Sequence, residues 1–338
     1  VNLHLNASCS FFILSALNSQ PEIPAVPVIH STFAPPALLR GAHVQTLLGA
    51  VLPRGKSVRY TRERLELADG DFVDLDWSRV GADRLVIVSH GLESTSSDSL
   101  TRGVAAAVNA AGWDALAWNF RGCGGEPNRL PRFYHSGETG DLSAVIARAA
   151  RSHSRIALVG FSLGGNMTLK YLGEAPPHST ICAGIAISAP IDLASSARQL
   201  DAHPGNRFYL RRFLRKLTAK VEAKALHFPD AFDTRGLREI GSFAEFDDRF
   251  TARLHGFRDA ADYWAQSSAR PLLPGIDIPT LLINALDDPF LAPESFPEPE
   301  AQASARLTLE MPRHGGHLGF IDARGSWLER RIVEFLGA

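Results

Sequence analysis

The rhythm of apolar and polar positions changes along the chain, and each change marks an element. Val58 to Leu67 and Phe72 to Trp77 read as two strands joined by Ala68-Asp69-Gly70-Asp71, where Asp-Gly favours a tight hairpin. Arg84 to Ser89 is a short continuous apolar run, followed by a helical stretch from Ser99 to Ala111. The alternation then repeats: strand at Asp114 to Phe120, helix at Gly140 to Arg151, strand at Ile156 to Phe161, helix at Asn166 to Leu172, strand at Ala183 to Ser188. Strands without polar alternation, separated by helices, predict a parallel sheet buried on both faces. Two more strands, Thr280 to Asn284 and Arg306 to Glu310, come much later, and a helix at Trp327 to Leu336 closes the chain. The long interval before Thr280 breaks the alternation and reads as helices and loops inserted over the sheet, at about 195–270. Upstream, Pro21, Pro24, Pro27, Pro35 and Pro36 mark an extended lead-in. Residues 1–32 are therefore expected to be a poorly ordered extension, with the folded domain spanning 33–338.

Composition narrows the class. At 338 residues the chain exceeds the ~250–300 at which a single core usually stops growing, which fits one large domain carrying an insertion. Apolar residues at 45% and charged residues at 21% exclude a disordered or collagen-like chain. A formal charge of −1 provides no global field to attract nucleic acid. The three cysteines, Cys9, Cys123 and Cys182, form no CxxC, so neither a disulfide framework nor a thiolate zinc site is supported. A reducing, cytoplasmic setting is expected. No apolar run reaches the ~18 residues of a membrane span. The stretch Ala7 to Leu17 has signal-peptide length, but the first Lys or Arg is Arg40, and a secretory n-region is positively charged.

The sharpest chemical feature is Gly160-Phe161-Ser162-Leu163-Gly164-Gly165, which follows an apolar strand and leads into a helix. That is the setting of a G-x-S-x-G nucleophile elbow. Glycines two before and two after Ser162 remove side chains that would collide in so tight a turn, and helix amides beneath favour developing negative charge. A serine hydroxyl needs a base, and the base needs a carboxylate to orient it. In chain order these should follow as Asp and then His, each beyond a later strand. Two choices present themselves at each place. Asp287 lies three residues past the strand-ending Asn284 and is preferred as the acid, because Asp288 precedes Pro289 and reads as a turn-former or helix cap. His317 follows Gly315-Gly316, which let the loop curl the imidazole toward Ser162, and is preferred over His314. A metal reading of His314 and His317 lacks a third ligand. The oxyanion donors are expected to be the backbone N–H groups of Leu163 and, after the strand Leu85 to Ser89, of Leu92. His90 there reads as structural. The chemistry requires no metal or organic cofactor.

These residues resemble a known family. His90-Gly91-Leu92-Glu93, Asn119-Phe120-Arg121-Gly122-Cys123-Gly124-Gly125-Glu126-Pro127-Asn128 and Tyr134-His135-Ser136-Gly137-Glu138-Thr139 look like the YheT-type branch of the α/β-hydrolases, with its EMB8-like and ABHD1/ABHD3-type relatives. So do Asp287-Asp288-Pro289-Phe290 and Gly315-Gly316-His317-Leu318-Gly319-Phe320. Pro35-Pro36, His43 and Gln45-Thr46 match the family's leading segment, and Asp247, Phe250, Thr251, Gly256-Phe257 and Tyr263 match its cap. The resemblance implies an α/β-hydrolase fold with an inserted helical cap. It also implies a serine esterase acting on acyl esters or lipids through Ser162, Asp287 and His317. Ser94 stands where the family usually has Gly, so the loop beside the oxyanion site is expected to differ. Cys123 reads as a small packing residue in a loop at the pocket rim.

Three alternatives stay open on the sequence: acyl transfer, for which His317 and Asp322 spell H-x-x-x-x-D; thioester cleavage by the same residues; and a non-catalytic binding module on this fold. Asp322 itself reads as the start of the closing helix. Between Arg207 and Lys224, Leu210, Phe213, Leu214, Leu217 and Val221 fall at helical spacing against a face rich in Lys and Arg. That face suits peripheral contact with anionic lipid. Its more ordinary reading is a solvated surface balanced by Asp230, Asp233, Glu239, Glu245, Asp247 and Asp248.

Overall fold

The computed structural model describes residues 27–55, 58–174 and 176–337. Among the described residues, nine strands form one sheet: β1 (Val28–Ile29), β2 (Thr61–Glu66), β3 (Phe72–Ser78), β4 (Arg84–Ser89), β5 (Asp114–Asn119), β6 (Arg155–Phe161), β7 (Ile181–Ile187), β8 (Thr280–Ile283) and β9 (Leu307–Glu310). Their spatial order is β1-β9-β8-β7-β6-β4-β5-β3-β2. Only β2–β3 and β3–β5 pair antiparallel; every other neighbour is parallel. A two-stranded ribbon, β10 (Ile321–Asp322) and β11 (Gly325–Ser326), follows.

Helices cover both faces: α1 (Ala42–Val51), α2 (Ser99–Ala110), α3 (Thr139–Ala149), α4 (Leu163–Glu174), α5 (Leu193–Ala202), α6 (Arg207–Ala225), α7 (Phe243–Phe246), α8 (Ala252–His255), α9 (Ala260–Ser267), α10 (Glu298–Gln302) and α11 (Trp327–Phe335). Alternate residues of the central strands feed two separate cores. Leu85, Ile87, Ile156 and Leu158 pack on one side, while Val86, Val88, Ala157 and Val159 pack on the other. This two-sided burial is why those strands read as unbroken apolar runs. Between β7 and β8 the chain leaves the sheet through α5 to α9, with a π turn at Asp247–Thr251 joining α7 to α8.

Four elements differ from the sequence reading. One is Asp322, read as the start of the closing helix, which lies instead on β10, because the chain first turns through the β10–β11 ribbon and the helix starts at Trp327. The sheet starts ahead of residue 33, because Val28 and Ile29 pair with Leu309 and Glu310 as an edge strand; residues 1–26 of the expected extension lie outside the described residues. Helix α1 arises in a stretch read only as part of the lead-in. Helix α4 begins at Leu163 rather than Asn166, because the elbow passes straight into it and the Ser162 carbonyl accepts from the Gly165 and Asn166 amides.

The loop after β5 ties the sheet's antiparallel edge to the layer above. The Arg121 guanidinium is buried and donates to both Asp141 oxygens at 2.7 Å, to Asp69 at 2.8 Å and to Asp71 at 3.0 Å. It thereby joins the β2–β3 turn to α3. Two buried carboxylates, Asp71 and Asp141, and the more exposed Asp69 share that cation, with Arg132 a more distant second partner at 3.7 Å from Asp69 and 3.9 Å from Asp141. Arg121→Met is therefore expected to cost about 3–5 kcal/mol, measured as a lower urea midpoint; an unchanged midpoint would contradict this account.

Candidate functional site

The elbow is held by what glycine omits. A Cβ on Gly160 would lie 2.2 Å from the Gly164 carbonyl oxygen, and one on Gly164 would lie 2.4 Å from that of Ser89. Ser162 sits at φ 51°, a left-handed conformation that costs a non-glycine residue energy and lifts its side chain off the sheet. Its hydroxyl lies 3.0 Å from His317 Nε2.

The histidine loop is fixed from α1. The His317 N–H donates to Thr46 Oγ1 at 2.9 Å. Gln45 donates to Leu39 O and Ile321 O and accepts from the Ile321 N–H. Close approach follows from small residues: a Cβ on Gly49 would meet the Leu318 carbonyl oxygen at 2.6 Å. The Leu318 N–H also donates to Ser188 Oγ. Gln45 and Thr46 were visible in the sequence only as family matches, with no role attached, and Gly49 and Ser188 were not singled out at all.

The carboxylate that meets His317 is Asp288, not Asp287. Asp288 oxygens lie 2.9 and 3.2 Å from His317 Nδ1, and its side chain is fully buried. The turn after β8 brings this about: the Asp288 N–H donates to Ala285 O, which turns the side chain inward. Asp288 also accepts from the Phe290 N–H at 2.9 Å, so it is the turn-former expected before Pro289 as well. Asp287 points to the rim, where it accepts from the Gly316 N–H at 2.9 Å and lies 3.5 Å from His314 Nδ1. It supports the Gly315-Gly316 turn rather than the imidazole. Burial pushes its carboxyl pKa up, opposed by the Gly316 hydrogen bond and by His314. His314 thus stays away from Ser162, and Asp322 accepts from the Arg324 N–H and pairs with Arg330 in the small ribbon.

Leu92 and Leu163 line the same cavity as Ser162 and His317. Among the described residues neither amide donates to a protein acceptor. A Cβ on Gly91 would lie 3.5 Å from that of Ser162, so the Leu92 loop runs directly beside the elbow. His90 is structural: it lies 2.8 Å from the Gly91 carbonyl through Nδ1 and accepts from the Phe120 N–H through Nε2. Burial pushes its pKa down to about 4, so it stays neutral.

Glu93, at φ 53°, anchors the far end of this loop. Its N–H donates to the Tyr134 hydroxyl at 2.8 Å, and that hydroxyl donates to Glu93 Oε1. From α6, Lys220 donates to the same oxygen at 2.6 Å and Lys216 to the Glu93 carbonyl at 2.8 Å. The departure at Ser94 leaves its hydroxyl donating to Asp98. Cys123 lies buried beside Lys220, and burial pushes its thiol up to about 11, which suits packing and not a thiolate.

The cavity above Ser162 holds about 990 Å³ of empty space, part of it open to solvent. Its walls are mainly apolar, with Phe213, Leu217, Phe243 and Phe246 from the inserted helices and Phe290 and Leu291 from below. Asp247, on the π turn, is the carboxylate in this wall beyond Glu93. It accepts from Thr251 Oγ1 at 2.6 Å and Trp264 Nε1 at 2.8 Å, and burial raises it to about 6.

His135, Glu138 and His255 bring three metal-type ligand atoms within 4.8 Å of one another. The hydrogen bonding of His135 and Glu138 opposes metal binding, while among the described residues His255 Nε2 has no hydrogen-bond partner. The Gly137 N–H donates to His135 Nδ1, which leaves the ring proton on Nε2, facing Glu138 at 3.5 Å. Arg132 donates to the same carboxylate at 3.2 Å. Among the described residues, no helix is long and apolar enough to cross a membrane.

Comparison with known proteins agrees with this architecture. The family described as the alpha/beta hydrolase fold matches residues 84–324. The YheT protein of Escherichia coli (strain K12) is 38% identical over 318 residues, covering 90% of this chain and 92% of its own length. Phospholipase ABHD3 of Homo sapiens is 25% identical over 364 residues, covering 99% of this chain and 89% of its own. Among solved structures, the Pyrococcus furiosus esterase Pf2001 matches with a TM-score of 0.58 at 21% identity, over 83% of this chain and 91% of that one. At that identity the structural likeness carries the fold alone. A buried parallel sheet, an elbow serine at its carboxyl edge and these relatives lead to one assignment: the chain belongs to the α/β-hydrolase fold family, in the esterase- and lipase-type branch that includes YheT.

Proposed function

We propose that this protein is a serine hydrolase that cleaves acyl esters through Ser162, His317 and Asp288, with Asp288 taking the part first expected of Asp287. The observation that carries the reading is the bridge made by His317, 3.0 Å from Ser162 Oγ on one side and 2.9 Å from Asp288 on the other. Ser162 Oγ attacks the ester carbonyl while His317 Nε2 takes its proton. Asp288 holds the Nδ1–H tautomer and offsets the imidazolium charge. The Leu92 and Leu163 amides receive the oxyanion. His317 returns the proton to the leaving alcohol, then activates water to release the acid. The apolar cavity suits an acyl chain, in keeping with the lipid-directed name of the human relative. Acyl transfer and thioester cleavage would use the same groups, and product partition with added alcohol and parallel thioester assays distinguish them. The H-x-x-x-x-D pattern lends transfer no support, because Asp322 is engaged with Arg330.

Ser162→Ala is expected to abolish p-nitrophenyl ester turnover; retained turnover would mean the chemistry lies elsewhere. The two aspartates should separate clearly. Asp288→Asn is expected to lower kcat by roughly 10³–10⁴-fold, and Asp287→Asn by about tenfold or less, since the amide oxygen can still accept from the Gly316 N–H and only the charge beside His314 is lost. Steady-state kinetics showing the reverse ranking would overturn the assignment of the acid. Lys220→Met strips Glu93 of its buried cation and should loosen the loop that carries Leu92. Its expected signature is about a tenfold fall in kcat with little change in KM, recovered by Lys220→Arg; a change in KM alone would contradict the link to Leu92.

A further inference from the structure

Helix α1 turns one apolar face away from the fold. Val44, Leu47 and Val51 fall one and two turns apart on that face and are 42%, 46% and 69% exposed. Leu38, just before the helix, is 92% exposed, and Phe208, at the start of α6, is 62% exposed. Single exposed apolar side chains are ordinary, but these are five of the eight large ones exposed among the described residues. The two sources adjoin, because His43 of α1 stacks on Tyr209 of α6 at 5.7 Å, with Nδ1 3.2 Å from the tyrosine hydroxyl.

Charge lies beside this apolar surface. Arg211, Arg212 and Arg215 follow Phe208 at spacings of three, four and seven, so they share its side of α6, and all three are exposed. Four of the six acids that could balance this face on sequence are engaged elsewhere, while Asp230 and Glu239 are exposed and make no ion pair among the described residues. Asp233 pairs with Arg235, Glu245 with Arg249 and Glu222 with Arg238. Asp247 accepts from Thr251 and Trp264, and Asp248 from the Ala260 N–H. Among the described residues Arg211, Arg212 and Arg215 make no ion pair, so their charge is offered to solvent.

We infer that Leu38, the outer face of α1, Phe208 and these three arginines form a docking surface for an anionic lipid bilayer. Apolar side chains of this kind enter the headgroup–acyl boundary, and adjacent guanidinium groups meet lipid phosphate. The surface is built from two helices that touch the site: α1 holds the His317 N–H through Thr46, and α6 contributes Phe213 and Leu217 to the cavity wall. Docking would present that cavity to molecules held in the bilayer. The assignment concerns binding and stands apart from the reaction proposed above.

Co-sedimentation of the full chain with vesicles of mixed phosphatidylglycerol and phosphatidylcholine, and of phosphatidylcholine alone, tests it. Binding to the anionic vesicles is expected to be at least about tenfold stronger, and to fall as sodium chloride is raised. Reversing Arg211, Arg212 and Arg215 to Glu should weaken it by about tenfold or more, as should Leu47→Ser with Val51→Ser. The salt titration uses the unaltered protein, so a variant that fails to fold leaves the test intact. Equal binding to both vesicle types, or binding insensitive to salt, overturns the inference. So does a solution dimer dispersed by Leu47→Ser, which would give the face to a second copy of the chain.

Discussion

Everything chemical in this molecule depends on holding one imidazole between a hydroxyl and a buried carboxylate. His317 spans Ser162 and Asp288 across 155 and 29 residues of sequence, respectively. No segment near it in sequence can fix its position alone. The fold does so by stacking constraints on its backbone. Thr46 takes its N–H, Asp287 takes that of Gly316, Ser188 takes that of Leu318, and Phe290 lies against the ring at a centroid distance of 4.2 Å. Glycines at 49, 316 and 319 let α1 and the loop approach to distances at which any Cβ would collide with backbone. The reactive geometry is therefore a consequence of packing between the first helix and the last long loop.

The second constraint links the inserted helices to the sheet. Glu93 adjoins Leu92, is held by Tyr134 from below and receives Lys216 and Lys220 from α6. A buried ion pair of this kind adds little net stability, but breaking it leaves a charge stranded. Its value here is positional: it sets the roof of the cavity against the loop beside Ser162. The same helix thus has three different surfaces, one lining the cavity, one clamping Glu93 and one bearing arginines that make no ion pair among the described residues.

How far the sequence was legible follows from the range of each interaction. The elbow was readable because its requirement is local, two glycines around a serine between a strand and a helix. The parallel sheet was readable because burial on both faces leaves continuous apolar runs. The choice between Asp287 and Asp288 was not readable in the same way. Adjacent residues in a turn point to opposite sides, and one backbone hydrogen bond, from Asp288 to Ala285, decides which side faces His317. Reading Asp288 as a turn-former was correct as far as it went, since a carboxylate can accept from the Phe290 N–H and still face an imidazole. Helix α1 carries weak periodicity because one of its faces packs and the opposite one is apolar yet exposed. The edge strand at Val28 and Ile29 depends wholly on a partner some 280 residues later.

The most direct test of the central claim is to trap the covalent intermediate. The protein would be mixed with p-nitrophenyl acetate, quenched in acid within the first turnover and mapped by peptide mass spectrometry. The account predicts a single acetyl group on the peptide carrying Ser162, formed together with one equivalent of p-nitrophenolate. An acetyl group on another residue, or turnover that never acylates Ser162, would contradict it.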